Sequence, residues 1–147
     1  MVNSYQEPIV LPHLRMVEHL AKRFRDEHLK QIGLTQSQAD VIILLAHESD
    51  KVFHQRDIER ALNYTNPTVT GLLNRLEQKN FIVRQVDPND SRARIIKLTD
   101  TALEILEEIY QSIRQTEQMV LDGFSQEELD ILMPLMARMA KNALRHV

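Results

Sequence analysis

Apolar residues recur at helical spacing along most of this sequence, but between Phe81 and Thr99 the period drops to two. One short extended stretch makes at most a hairpin, and an isolated hairpin is marginal in water unless helices cover it. The architecture is therefore helix packed on helix with a small two-stranded appendage. The remaining composition agrees: 3 Gly and 5 Pro in 147 residues leave long runs of Leu, Glu, Gln, Arg, Ala and Met, all good helix formers. A chain of this length is expected to form one domain, residues 1–147.

The helices can be placed from their ends. Leu11, Leu14, Val17, Ala21, Phe24 and His28 share a face and predict a helix from Pro12 to Gln31, stopped by Gly33. Thr35 with Gln38 is a capping box that opens a second helix, whose Ile42–Leu45 run is apolar all round and so should be central. A third helix is expected over His54–Leu62 with Ile58, Ala61 and Leu62 inward, and a fourth from about Asn66. Phe81, Val83 and Gln85 then alternate with Ile82, Arg84 and Val86 as a strand. Residues 88–91 read as a turn, and Ala93–Thr99 as the returning strand. Two helices close the chain, Asp100–Leu121 and Gln126–Arg145. Gly123 ends the first, Ser125 with Glu128 caps the second, and Pro134 inside it predicts a kink.

Several function classes lack support. Without cysteine there is no disulfide, thiolate zinc site or cysteine nucleophile. The six histidines have no tight ligand spacing, and neither a metal nor another cofactor is expected. No nucleophile elbow, paired-carboxylate motif or glycine-rich phosphate loop suggests an enzyme. No secretory leader and no apolar run of membrane-spanning length are visible, so a cytoplasmic protein without a membrane partner is expected.

The charge distribution is uneven. The chain carries a formal −3, yet His54–Leu98 holds eight Lys and Arg against five Asp and Glu, a net of +3 that leaves −6 elsewhere. A basic centre in an acidic chain suits a lobe that meets phosphate. In the fourth helix, steps of about 100° put Val69, Leu72, Leu73 and Leu76 in one apolar arc. The opposite side holds Pro67, Gly71, Asn74 and Gln78, flanked by Thr68, Thr70 and Arg75. Hydroxyl, amide and guanidinium groups of this kind hydrogen-bond base edges and phosphates. Pro67 suits the first turn, where Thr65 or Asn66 can cap, leaving free N–H groups toward a phosphate. Gly71 is costly in a helix interior unless a backbone must be approached closely. A merely solvated polar face would show the same pattern, so this helix does not decide the matter alone.

Helix, helix, turn, helix and basic hairpin is the order of a winged helix-turn-helix. The string from Thr65 to Asp100 resembles the multiple antibiotic resistance regulator (MarR) family, with Asp87, Pro88, Asp90, Arg92, Leu98 and Thr99 at the positions of its wing motif and closing Leu-Thr. The Pro67–Leu73 run is similar to the multidrug-efflux repressor branch. Ala102 departs from the family, which commonly has a glycine there.

The resemblance implies a mainly α fold with a β-hairpin wing. It makes 35–99 a winged helix-turn-helix lobe, and 5–32 with 100–147 a helical lobe that forms a two-fold homodimer. It implies a ligand-responsive repressor that binds double-stranded DNA at a pseudo-palindromic operator. Candidate DNA-binding residues are Asn66, Pro67, Thr68, Thr70, Gly71, Asn74, Arg75, Arg92 and Arg94. Arg92 would enter the minor groove, and Asp90 would position it within the wing.

The terminal helices carry apolar stripes, Leu129, Leu132, Met136, Met139 and Ala143 in the last, that need cover from a second subunit or from each other. Met16, Met119, Met133, Met136 and Met139 suit either core filling or an adaptable site for a small apolar or aromatic effector. Two rival classes, a helical protein-interaction module and a ligand-binding module without DNA affinity, leave the basic middle segment unexplained.

Overall fold

The computed structural model describes residues 10–146. Its elements follow in the order α1 (Val10–Gln31), α2 (Gln36–His47), α3 (Gln55–Leu62), α4 (Asn66–Gln78), β1 (Ile82–Asp87), β2 (Asp90–Leu98), α5 (Asp100–Val120) and α6 (Gln126–Leu144). Both expected capping boxes are formed: the Thr35 hydroxyl accepts from the Gln38 amide at the start of α2, and Ser125 accepts from Glu128 at the start of α6. Gly33 (φ 72°) and Gly123 (φ 81°) follow α1 and α5 in the left-handed region that a side chain would strain. At the family's glycine position, Ala102 is fully buried and donates to the Thr99 hydroxyl, so α5 starts normally without the glycine.

Helix α2 is the centre of the molecule, with Val41 and Ile42 fully buried. It packs on α1, α3, α4, α5 and β2. Ile58 of α3, Val69, Leu73 and Leu76 of α4, and Ala102 and Ile109 of α5 close around it. Ala61 is exposed, contrary to the inward face expected for α3; in so short a helix Ile58 reaches the core and Ala61 lies to one side of it. His54 is also outside α3, as its N-cap rather than its first residue, and forms a capping box with Asp57.

Asn63 (φ 53°) ends α3, and the Tyr64 hydroxyl donates to Asp40 (3.2 Å) and reaches Ser37 (3.4 Å), so the turn into α4 is held against α2. The angle between α3 and α4 is thus fixed by contacts to the core as well as by the turn.

The hairpin is antiparallel, running from Ile82 opposite Leu98 to Val86 opposite Arg94. Ile82 and Ile96 seat its base in the core, and the Phe53 carbonyl accepts from the Ile96 amide (2.8 Å), a bridge that sequence periodicity did not reveal. The expected alternation holds from Ile82 to Gln85 and fails at both ends: Phe81, expected on the opposite face from Ile82, lies before β1 and is buried with it, and Val86, expected on the face of Ile82, is exposed because the hairpin projects beyond the helices.

The turn is tighter than residues 88–91, since Asp90 and Ser91 belong to β2. After Val86 opposite Arg94 the next pair is Asp87 opposite Asp90, so Ser91, Arg92 and Ala93 have no counterparts in β1. Such an irregularity re-aims side chains out of the ladder.

The two ends of the chain pack differently. Leu29 is the buried residue of α1, while Leu11, Met16, Val17 and Leu20 are exposed. In α6 no residue is buried: Ile131, Met133, Leu135, Met136, Met139 and Leu144 face outward, and the helix continues on both sides of Pro134. No helix of the described residues is long and apolar enough to cross a membrane. Residues 5–9 and 147, part of the expected terminal lobe, lie outside the described residues.

Candidate nucleic-acid interface

Helix α4 buries Val69, Leu72, Leu73 and Leu76, which turns the opposite side to solvent. Asn66, Pro67, Thr68, Asn74 and Arg75 are exposed there, with Thr70 and Gly71 partly covered. Thr65 is the N-cap, but its hydroxyl pairs with Thr68 (2.9 Å) and makes no cap hydrogen bond, so the first-turn amides stay open. Pro67 occupies that same first turn, where its lack of an N–H costs nothing. No atom outside the local helix backbone lies within 4 Å of a Cβ built on Gly71, so packing within the chain does not demand glycine.

The polar side chains of this face are tied to neighbouring elements. Thr70 accepts from Gln55 of α3 (2.8 Å), and Gln55 and Asn66 both donate to Glu59 (3.0 and 2.6 Å). Arg84 of β1 donates to Glu77 (3.0 and 2.7 Å) and to the Asn74 carbonyl oxygen (2.5 Å). These hydrogen bonds favour one arrangement of the side chains on this face. Gln55, Glu59 and Arg84 were not legible as parts of the interface, since each lies 7–15 residues from its partner with no periodic signal linking them.

Beside α4 stands the wing. The Asp90 carboxylate accepts from the Arg92 amide (2.9 Å), a short-range loop that sets the backbone there. The Arg92 guanidinium has no protein partner among the described residues. Arg94 is different: its Nη1 donates to the carbonyls of Ser91 and Ala93 (3.1 Å each), so it braces the wing while remaining exposed.

At the root of the wing Asp87 is 8% exposed and accepts from the Asn89 amide (2.8 Å) and from His54 Nε2 (2.8 Å). The Asn89 amide first, and His54 second, hold its carboxyl below the ordinary value. His54 thereby links the start of α3 to the wing. A cleft of about 760 Å³ opens between α3 and the hairpin, with Arg56, Arg60, Arg84, Arg92 and Arg94 on its walls. Arg56 and Arg60, one helical turn apart, could have been found from the basic cluster in the sequence. Among the described residues no group of three or more His, Asp or Glu is placed to hold a metal ion.

An open helix N-terminus, a polar outward face and an arginine-bearing wing form one continuous surface. The sequence profile of the MarR family matches residues 32–93, the stretch that builds this surface. The structure of MepR, a transcription regulator of the Staphylococcus aureus multidrug efflux pump MepA, is 30% identical with a TM-score of 0.75, over 88% of this chain and 95% of that one. The chain belongs to the MarR family. The S. aureus MepR–DNA complex is similar at 30% identity and a TM-score of 0.73, over 88% of this chain and 93% of that one. The E. coli MarR variant shares the fold, with a TM-score of 0.77 at 23% identity over 91% and 97% of the two chains. As a MarR-family protein of the branch that MepR represents, it is a DNA-binding transcriptional regulator and not an enzyme.

Proposed function

We propose that the protein is a cytoplasmic repressor that works as a homodimer on a pseudo-palindromic operator and responds to a small apolar or aromatic effector. In each subunit α4 enters the major groove, where Asn66, Thr70 and Asn74 read base edges, and Arg75 together with the α4 amides meets phosphates. Gly71 lets the backbone come close, and Arg92 reaches from the wing into the minor groove.

The observation that carries this reading is the Arg92 guanidinium, without a partner among the described residues and held on the irregular part of β2 beside an α4 face whose Asn66, Pro67, Thr68, Asn74 and Arg75 are exposed. Residues 35–99 act as the DNA lobe, and 5–32 with 100–147 as the assembly lobe. The wholly unburied α6 and the exposed start of α1 supply the seam between subunits. The relatives support the DNA partner most directly, through the MepR–DNA complex.

A mobility-shift titration on the DNA upstream of its own coding sequence, at about 50 and 200 mM salt, tests the proposal. Specific retention that weakens steeply with salt is expected, because cationic contacts release counterions. Binding no tighter to that DNA than to an unrelated duplex at both salts would overturn it.

A further inference from the structure

Three polar residues on the outward side of α4, Asn66, Thr70 and Asn74, are spaced four apart and so stand one above another along the helix. Each is tied to a neighbour, and two charged groups end the chains of ties. Glu59 accepts from Asn66 Nδ2 and from Gln55 Nε2, and the same Gln55 nitrogen donates to Thr70 Oγ1. Arg84 Nη2 donates to Asn74 Oδ1.

A carboxylate offers no proton and a guanidinium offers no lone pair, so these partners determine which end of each amide faces them. Asn66 must turn its NH₂ to Glu59, leaving its carbonyl outward. Gln55 must turn its NH₂ to Glu59 and Thr70, which occupies one of the two Thr70 lone pairs, so the hydroxyl can still donate its proton or accept with the other. Asn74 must turn its carbonyl to Arg84, leaving its NH₂ outward.

We infer that Glu59 and Arg84, neither of which touches a base, are specificity-determining residues that fix the hydrogen-bond polarity of the recognition helix. The pattern presented to DNA is acceptor at Asn66 and donor at Asn74, with the Thr70 hydroxyl between them able to serve as either. The matching half-site carries an amino group, from adenine or cytosine, opposite Asn66, and an acceptor edge opposite Asn74. Guanine suits Asn74 best, since O6 and N7 both accept from one NH₂. The bidentate asparagine–adenine pair needs the amide oxygen that Arg84 holds. This inference rests on the base-reading role proposed above for Asn66, Thr70 and Asn74.

Binding-site selection from a randomised half-site, with full-length protein and sequencing of the retained DNA, tests it. In wild type, guanine should exceed adenine at the base pair read by Asn74. Arg84→Met, which releases the Asn74 amide, should reduce that ratio by about fivefold or more, in line with one lost bidentate discrimination. Arg84→Lys still offers a donor without a lone pair and should retain it. Glu59→Gln, whose amide can face either way, should relax the adenine and cytosine preference at the Asn66 pair and leave the Asn74 pair unchanged. A purely structural role would lower affinity for all sequences alike, and that outcome overturns the inference.

Asn66→Ala and Asn74→Ala separate the two levels. If they flatten the consensus while Arg84→Met and Glu59→Gln preserve it, base reading stands and the polarity assignment falls. If they leave the consensus intact, base reading itself falls and the polarity assignment with it.

Discussion

Arg92 has a fixed backbone and a free head. Its amide is held by Asp90, its neighbours have no partners in β1, and its guanidinium has no partner among the described residues. Arg92→Ala therefore removes the proposed DNA contact without removing a structural one. Affinity should fall by about 1 to 3 kcal/mol across sequences, and the slope of log affinity against log salt should flatten by about one. Fluorescence anisotropy at four salt concentrations measures both, and an unchanged slope would remove Arg92 from the interface.

Asp87 plays the opposite part, facing inward. Its carboxyl lies below its ordinary value of 3.8 in the folded chain because the Asn89 amide and His54 favour the charged form. A depressed folded-state value contributes stability that is complete above the unfolded value and is lost as pH falls through the folded one. In urea melts, the stability gap between wild type and Asp87→Asn should thus stay level from pH 7 to 5 and narrow below about pH 4. A gap that narrows between pH 7 and 5 instead would assign the effect to another group.

Helix α4 allows stability and binding to be separated at one position. Gly71 sits in a helix interior, and a Cβ there meets open space. Gly71→Ala should raise folding stability by up to about 1 kcal/mol, since alanine restricts the unfolded chain and exposes less backbone. Operator affinity should fall if, as proposed, DNA approaches the backbone there, because the added methyl stands in its way. Thermal melts and a binding titration on one preparation check the pair of outcomes; a variant that is more stable and binds as tightly would show that nothing comes close to Gly71.

At this scale much of the fold could be read in advance. The boxes Thr35–Gln38 and Ser125–Glu128 placed helix starts to the residue because their chemistry is local. The apolar arc of α4 followed from periodicity alone. What escaped was long-range: the Phe53 bridge to Ile96, the His54 link to Asp87, and the grips of Gln55 and Arg84 on Thr70 and Asn74. A polar side chain that orients another across 10 to 33 residues leaves no periodic trace. His54 was hidden twice, since histidine is an uncommon N-cap and its carboxylate partner lies on a strand. The outer wing was read as a two-sided strand because alternation in sequence says nothing about how far a hairpin projects.

For the whole molecule, the unburied α6 is the element on which the proposed dimer depends. In the proposed dimer, Met136→Glu places a charge in the seam without disturbing the chain's own core, where Met136 plays no part. Light scattering should show the variant shifted to monomer at concentrations where wild type is dimeric, and operator affinity should fall because two joined half-site contacts bind better than one. Equal dimer content in both proteins would move the seam elsewhere. Half-site centres about 10 base pairs apart, roughly 34 Å, are the matching expectation for the operator.

Helix α5 adds a mechanical consequence. Its first turn is locked into the winged lobe through Ala102, and its other end leads into α6. With 21 residues it is a rod of about 31 Å. If α6 anchors the seam, a pivot of about 10° there swings the far end of a rod that long by about 5 Å, more than the roughly 3.4 Å rise between stacked base pairs. A molecule lodged beside the pivot need not touch DNA, or any residue that does, to carry both reading heads out of step with the groove.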